Sequence, residues 1–168
     1  MKNTPKTAID ICNAALKKLG EPDAFLISSL NPNGVLASRL CYMHYHPARR
    51  EVLCAKEWKF ALKKVHLHSP TEKPGIVPFK LPMDCLRVRN VSEPDWEICL
   101  QTREIFCNTK HIMVKYTADA EDVEQFPEPF IEAFIVRLAW KLCIPMTNST
   151  KMLLNLQEEY NNLIKPCR

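Results

Sequence analysis

Glycine is scarce in this chain, three residues in 168 against thirteen prolines. That excludes a glycine-rich phosphate loop, and no G-x-S-x-G elbow or H-E-x-x-H pair occurs either. Stiff loop corners are expected in place of flexible linkers. No uninterrupted apolar run approaches the roughly 18 residues of a membrane span, so no membrane partner is expected. The N-terminus MKNTPKTAID has no apolar segment of the signal-peptide kind, which predicts folding in a reducing cytosol. Charge is modest too. A net +4 is too small to argue for nucleic acid by itself.

Cysteine is the exception, with eight: Cys12, Cys41, Cys54, Cys85, Cys99, Cys107, Cys143 and Cys167. None form a C-x-x-C pair, and several fall at apolar helix positions, where a thiol acts as a small hydrophobe. Reduced, metal-free thiols are expected. A hydrophobic content of 46% with 25% charged residues describes a globular protein, and the length suits one domain.

The most apolar stretch is Phe126 to Ile144. Phe130, Phe134, Leu138 and Leu142 step by four, and only Glu132, Arg137 and Lys141 interrupt the surface after Pro129. This predicts a central core helix, begun at Pro127 and Pro129 and stopped by Pro145. A first helix is signalled by Thr7 with Asp10 as a capping box. Ala8, Ile9, Cys12, Ala15, Leu16 and Leu19 form its stripe, and Gly20 its end. Phe25 to Leu30 reads as an apolar connector, closed by the turn signal Asn31-Pro32-Asn33-Gly34. The second helix runs from about Val35 to Lys56, with Leu36, Leu40, Met43, Val52 and Leu53 inward. Arg39, Arg49, Arg50 and Glu51 face outward or to partners, and Pro47 predicts a kink or two helices meeting. Trp58 and Phe60 follow as large anchors.

From Leu62 to Thr117 the period falls to two. Strands are expected around Val65–Leu67, Cys85–Asn90, Trp96–Leu100, Glu104–Cys107 and Ile112–Tyr116, with Ser69 to Lys80 a proline-rich projecting loop. A last helix, capped by Asn148 or Ser149, carries Met152, Leu153, Leu156, Tyr160, Leu163 and Ile164. The expected fold is α+β, a four-helix-type bundle with a small antiparallel sheet inserted between the second and third helices. One domain spans 1–168, with helices at about 5–58 and 127–165 and the β-rich insertion at about 60–117.

Candidate chemistry is thin. Cys41, His44 and His46 offer soft and imidazole ligands, but C-x-x-H-x-H is not a usual zinc frame, and both histidines are expected on an exposed helix side. His66 and His68 share a strand face and read as polar sheet surface. Arg49, Arg50, Arg87 and Arg89 could grip phosphates; with no aromatic platform nearby, salt bridges to Glu51, Glu57 or a neighbouring subunit are preferred. Asp84 follows Pro82 in a turn, lacks a partner carboxylate, and is expected to be structural. No catalytic, cofactor-binding or metal-ligating residue is assigned.

Four segments carry a resemblance: AIDICNAALKKLGE (8–21), HPARREVLCAKEWKFA (46–61), LPMDCLRV (81–88) and PFIEAFIVRLAWKL (129–142). In this order they resemble the tail tubular protein A family of short-tailed bacteriophages over nearly the whole chain. The most specific pieces are Arg50, Leu53, Trp58, Phe60 and Ala61, and Leu81, Pro82, Asp84, Leu86 and Arg87. The many cysteines depart from the family. The resemblance implies a structural head-to-tail adaptor without enzymatic activity or cofactor, located in the neck of the virion and assembled in the host cytoplasm. It also implies a homo-oligomeric ring, typically twelve-fold, between the portal protein and the tail nozzle protein. Phage DNA would pass through the lumen without sequence specificity. Two other classes stay open. One is a cytosolic nucleic-acid-binding or regulatory α+β domain, favoured if the four arginines converge. The other is a cysteine-dependent enzyme, which needs a thiol, a histidine and a cleft together.

Overall fold

Thr7 opens the first helix with a reciprocal pair of hydrogen bonds. In the computed structural model, which describes residues 4–23 and 26–166, the Asp10 N–H donates to the Thr7 hydroxyl at 3.1 Å. The Thr7 N–H donates to the Asp10 carboxylate at 3.1 Å. Helix α1 spans Ala8–Lys18, α2 Leu36–Ala55, α3 Glu128–Thr147 and α4 Thr150–Leu163. Between α2 and α3 lie β1 (Leu62–His68), β2 (Val77–Lys80), β3 (Cys85–Val91), β4 (Trp96–Cys99), β5 (Glu104–Cys107) and β6 (His111–Ala118). The protein is mixed α/β, with four helices and two small antiparallel sheets. By clustering it divides into two compact units, Met1–Lys56 with Glu121–Arg168, and Glu57–Ala120.

In the helical unit α3 packs against α1, α2 and α4. Phe130, Phe134, Leu138 and Leu142 are fully buried, as their spacing predicts. Phe126, Phe130 and Phe134 stack edgewise, with centroids 4.7 and 5.9 Å apart along the series. Pro145 does not stop α3. The helix runs on to Thr147 and ends at Asn148, whose left-handed backbone (φ 54°) turns the chain. A proline one turn from a C-terminus gives up a single internal bond, which this contact-rich helix tolerates. Ser149 then caps α4 by accepting the Met152 N–H at 3.2 Å.

Helix α2 passes through Pro47 as one continuous helix, not two meeting there. Its inward face also differs from expectation. Leu36 and Met43 are exposed, while Cys41, Tyr45, Ala48 and Val52 are buried. The apolar residues of α2 are spread around its circumference, so hydrophobicity alone does not select the side that packs. Helix α1 turns similarly, burying Ile11 beside Cys12, Ala15, Leu16 and Leu19. Asn13 clamps the following connector, its amide bonding both the N–H and the C=O of Ile27 at 2.9 Å. Phe25 and Cys167 lie outside the described residues.

The β unit holds two three-stranded sheets, ordered β1-β6-β3 and β2-β5-β4, where one was expected. The difference comes from β2, which falls inside the expected 69–80 loop. Val77 and Phe79 are buried, and Pro78 pairs opposite Phe106. Once β2 pairs with β5, the β4–β5 hairpin has its third strand without β1 or β3. The inner faces share one core that includes Phe79, Ile105, Ile112, Val114 and Tyr116. In β3 the register slips between Cys85 and Arg87 and again between Val88 and Asn90, which breaks the simple alternation.

Candidate protein-contact surface

Two turns of the β unit are locked together by Arg103. The first joins β2 to β3 and is closed by the Cys85 N–H donating to the Pro82 carbonyl at 3.1 Å. The second joins β4 to β5 and ends at Arg103, whose φ of 57° is left-handed. That conformation costs a side-chain-bearing residue about 1–2 kcal/mol. Local bonds offset the cost. Arg103 Nη2 donates to the Pro82 and Cys85 carbonyls at 2.9 and 3.0 Å, and the Leu81 N–H donates to the Arg103 carbonyl at 2.9 Å.

The joined turns present apolar side chains to solvent. Met83 is 93% exposed and Leu100 79% exposed. Beside them runs a groove of about 360 Å³, walled by Leu81, Leu86, Val88, Trp96 and Ile98, with Arg87 and Arg103 also on its lining. Large apolar residues held outward by a bonded framework mark a surface suited to protein contact. Little conformational entropy is lost when such turns dock. Across the same unit, a second hollow of about 460 Å³ is lined by Ile76, Asp95, Trp96, Glu97 and Phe106.

Asp84 sits in the first turn and has a structural role. Its carboxylate accepts from Lys63 Nζ at 2.7 Å and from the Tyr116 hydroxyl at 3.0 Å, and its carbonyl accepts the Asp119 N–H at 2.7 Å. The Lys63 bond, aided by Tyr116, holds the carboxyl below its ordinary range, while burial and the bond to Asp84 push the Tyr116 phenol up to about 12. Near the second turn, bonds from the Thr102 hydroxyl and N–H lower the Cys99 thiol.

The four singled-out arginines divide between the units. Arg49, expected outside, is fully buried. Its Nη2 lies 3.7 Å from Glu121 Oε1, and its Nε donates to His46 Nδ1 at 3.2 Å. The stem of an arginine is apolar enough to pack in a core. Arg50 is exposed, Arg87 is exposed, and Arg89 donates to the Thr117 hydroxyl at 2.8 Å. Glu51, offered as an arginine partner on α2, pairs instead with Arg137 at 2.6 Å and Lys141 at 2.7 Å, the cations of α3. Burial raises the Glu51 carboxyl, but bonds from Lys141 and Arg137 outweigh it and leave it below its ordinary value. Arg137 also stacks 3.9 Å over Trp140.

Cys41 is not brought together with the two histidines. Its thiol is buried, whereas His44 is half-buried and His46 exposed. Among the described residues no three His, Cys, Asp or Glu groups are placed to hold a metal ion. His66 and His68 are exposed on β1, while Val65 and Leu67 pack against the core, as the alternation predicts. Among the described residues no helix is long and apolar enough to cross a membrane.

Sequence reasoning missed the exposed turns. The available signal was Leu100, an apolar residue that follows a strand and precedes the polar Gln101-Thr102-Arg103. Compared with known proteins, the chain matches no family model, and no curated protein is significantly similar to it.

Proposed function

We propose that this chain is a structural virion protein, a head-to-tail adaptor that assembles as a ring between a portal protein and a tail nozzle protein. The observation that carries this reading is the occurrence, in order, of four segments resembling the tail tubular protein A family. Half of their most specific residues occupy demanding positions. Leu53, Trp58, Ala61 and Leu81 are buried, and Asp84 ties a turn to Lys63 and Tyr116. The finer architecture belongs to the same proposal: a four-helix bundle with the β unit inserted between its second and third helices. The packing of α3 against the other three helices supports it.

An adaptor needs a stiff body and surfaces for neighbours. The helical unit supplies the first, and the joined turns bearing Met83 and Leu100 supply one of the second. A head-to-tail contact repeated by rotation closes into a ring, with twelve copies by resemblance. Each contact can be weak in the free subunit, because a portal template makes the set cooperative. DNA would then pass through the lumen without sequence readout. Virion-neck location and the lack of enzymatic activity follow from that role.

The test is co-sedimentation with portal particles of a short-tailed phage, followed by electron microscopy. Ring density on the portal is expected, and Leu100→Asp should remain folded yet lose assembly. A folded chain that joins neither portal nor tail particles at any concentration refutes the proposal. Salt-sensitive binding of free DNA by that same chain would favour a nucleic-acid-binding domain instead.

A further inference from the structure

Strand β4 is a sheet edge without the usual protection. Among the described residues it pairs with β5 alone, so alternate residues turn their N–H and C=O groups away from the sheet. The other three edge strands of the β unit are guarded against pairing. β1 carries Lys63, Lys64, His66 and His68, β2 carries Pro78 and Lys80, and β3 carries Arg87, Arg89 and two register slips. β4 has Glu97 as its one charge, set between Trp96 and Ile98, and it runs into the exposed Leu100. We propose that β4 takes an extended, acidic segment of a partner protein as an added strand.

The groove of about 360 Å³ beside β4 selects the side chains of that segment. Leu86 and Val88 of β3 form one wall, and Trp96 and Ile98 of β4 the other. These strands are edges of different sheets, so the groove lies between two edges. Trp96 and Ile98 stand opposite Cys107 and Ile105, both buried, and therefore share the inward face of their sheet. A strand added to β4 continues the pleat. Every second side chain enters the groove and must be apolar, while the others stand outside beside Glu97 and Phe106. Main-chain bonds to β4 supply attachment, and the groove supplies selectivity.

Charge decides the kind of partner. Arg87 and Arg103 lie on the lining of the groove and no carboxylate does, so the segment that complements it carries aspartate or glutamate. A second copy of this chain fits less well. Two β4 strands paired edge to edge would bring both sets of arginines together, where like charges repel. One short strand buries far less than the roughly 1,200 Å² of a stable interface, so the contact is weak alone and strengthens when repeated or linked. The proposal refines the contact surface described above and is independent of the adaptor role.

The probe is a capped nine-residue peptide with valine at every second position, threonine between and glutamate at both ends, added in excess to the full chain. Hydrogen exchange read by mass spectrometry should slow in residues 94–101 and stay unchanged in β1 and β2. Two further peptides keep these side chains but carry N-methyl groups on either the odd or the even residues. One pattern turns its methyl groups toward β4 and should lose the protection, while the other should keep it. Fluorescence anisotropy should show a lysine-ended peptide binding at least about tenfold more weakly. Ile98→Lys supplies the missing edge guard and should abolish binding at unchanged circular dichroism; should that variant not fold, the methylated pair on the unaltered chain decides. Indifference to both methylation patterns, protection away from β4, or no binding at any soluble concentration overturns the proposal. Equal binding of the lysine-ended peptide overturns the acidic partner. Self-association through β4, seen by light scattering and lost in Ile98→Lys, overturns it in favour of a second copy. No phage particle enters these measurements, so their failure is distinct from failure of the adaptor reading.

Discussion

Phe134 is the side chain whose loss the helical unit should feel most. It is fully buried on α3, with centroids 5.0 Å from Tyr45, 5.9 Å from Phe130 and 6.3 Å from Phe126. Phe134→Ala removes most of a ring that buries about 150–250 Å². At about 25 cal/mol per Å², that area corresponds to about 4–6 kcal/mol, an upper bound because alanine keeps part of it and the unfolded chain already buries some. The edge contact to Phe130 and the tilted contact to Tyr45 add about 0.5–1.5 kcal/mol each where geometry is good, and partial collapse of the cavity returns some of the loss. The expected destabilisation is about 3–5 kcal/mol. Phe134→Leu, which keeps much of the volume, should cost under about 2 kcal/mol. Urea unfolding followed by circular dichroism at 222 nm reads the helical unit directly, with Leu154→Ala as an exposed control expected within about 0.5 kcal/mol of the parent. A loss below about 1 kcal/mol for Phe134→Ala, at unchanged urea dependence, would refute a core centred on α3.

Other consequences can be measured in the same way. Trp58, 5% exposed, should lose about 3–5 kcal/mol on substitution by alanine. A loss below about half a kcal/mol would place it on the surface. Phe79→Ala should cost a similar amount, because β2 is a core strand; a neutral result would return residues 77–80 to a loop. Asp84 has a native pKa below its unfolded value of about 3.9. Its contribution is therefore present above about pH 4 and lost as pH falls through the lower native value. Asp84→Asn should flatten that acid limb in urea midpoints taken from pH 7 to pH 2. The pair with Lys63 is largely solvated, which keeps the effect below about 1 kcal/mol. An unchanged acid limb would show that the carboxylate contributes nothing as an ion.

Element type was legible where one physical signal dominated. Four-residue apolar steps located the buried face of α3, and period-two alternation located five of the six strands. Strand β2 failed because Pro78 and the prolines before it signal a loop, and a proline is usually confined to edge strands. β2 is such an edge, paired only with β5, so the residue that argued against a strand is compatible with this one. Deleting residues 70–78, which a free loop would tolerate, would here remove Val77 from the core. Pro145 misled in the opposite direction. A proline near the end of a helix costs little when the residues before it are held by packing, so Asn148 sets the end.

Site residues were harder to place because the sequence gives their chemistry and not their rotation about an element. On α2, residues 41, 45 and 49 share one face by simple spacing, yet Met43 and Leu36 compete for the inward position on hydrophobicity alone. The packed face is the one that carries Cys41, Tyr45, Ala48 and Val52, and Arg49 is buried with it. His46 is turned outward, and its Nδ1 accepts from Arg49 Nε. In the β unit the deciding residue is Arg103. A left-handed arginine has no sequence signature, because its conformation is imposed by three groups distant in the chain: the Pro82 and Cys85 carbonyls and the Leu81 N–H. Removing its guanidinium would therefore release both exposed turns while leaving the buried strands beneath them paired. That separates the stiffness of the surface from the stability of the core.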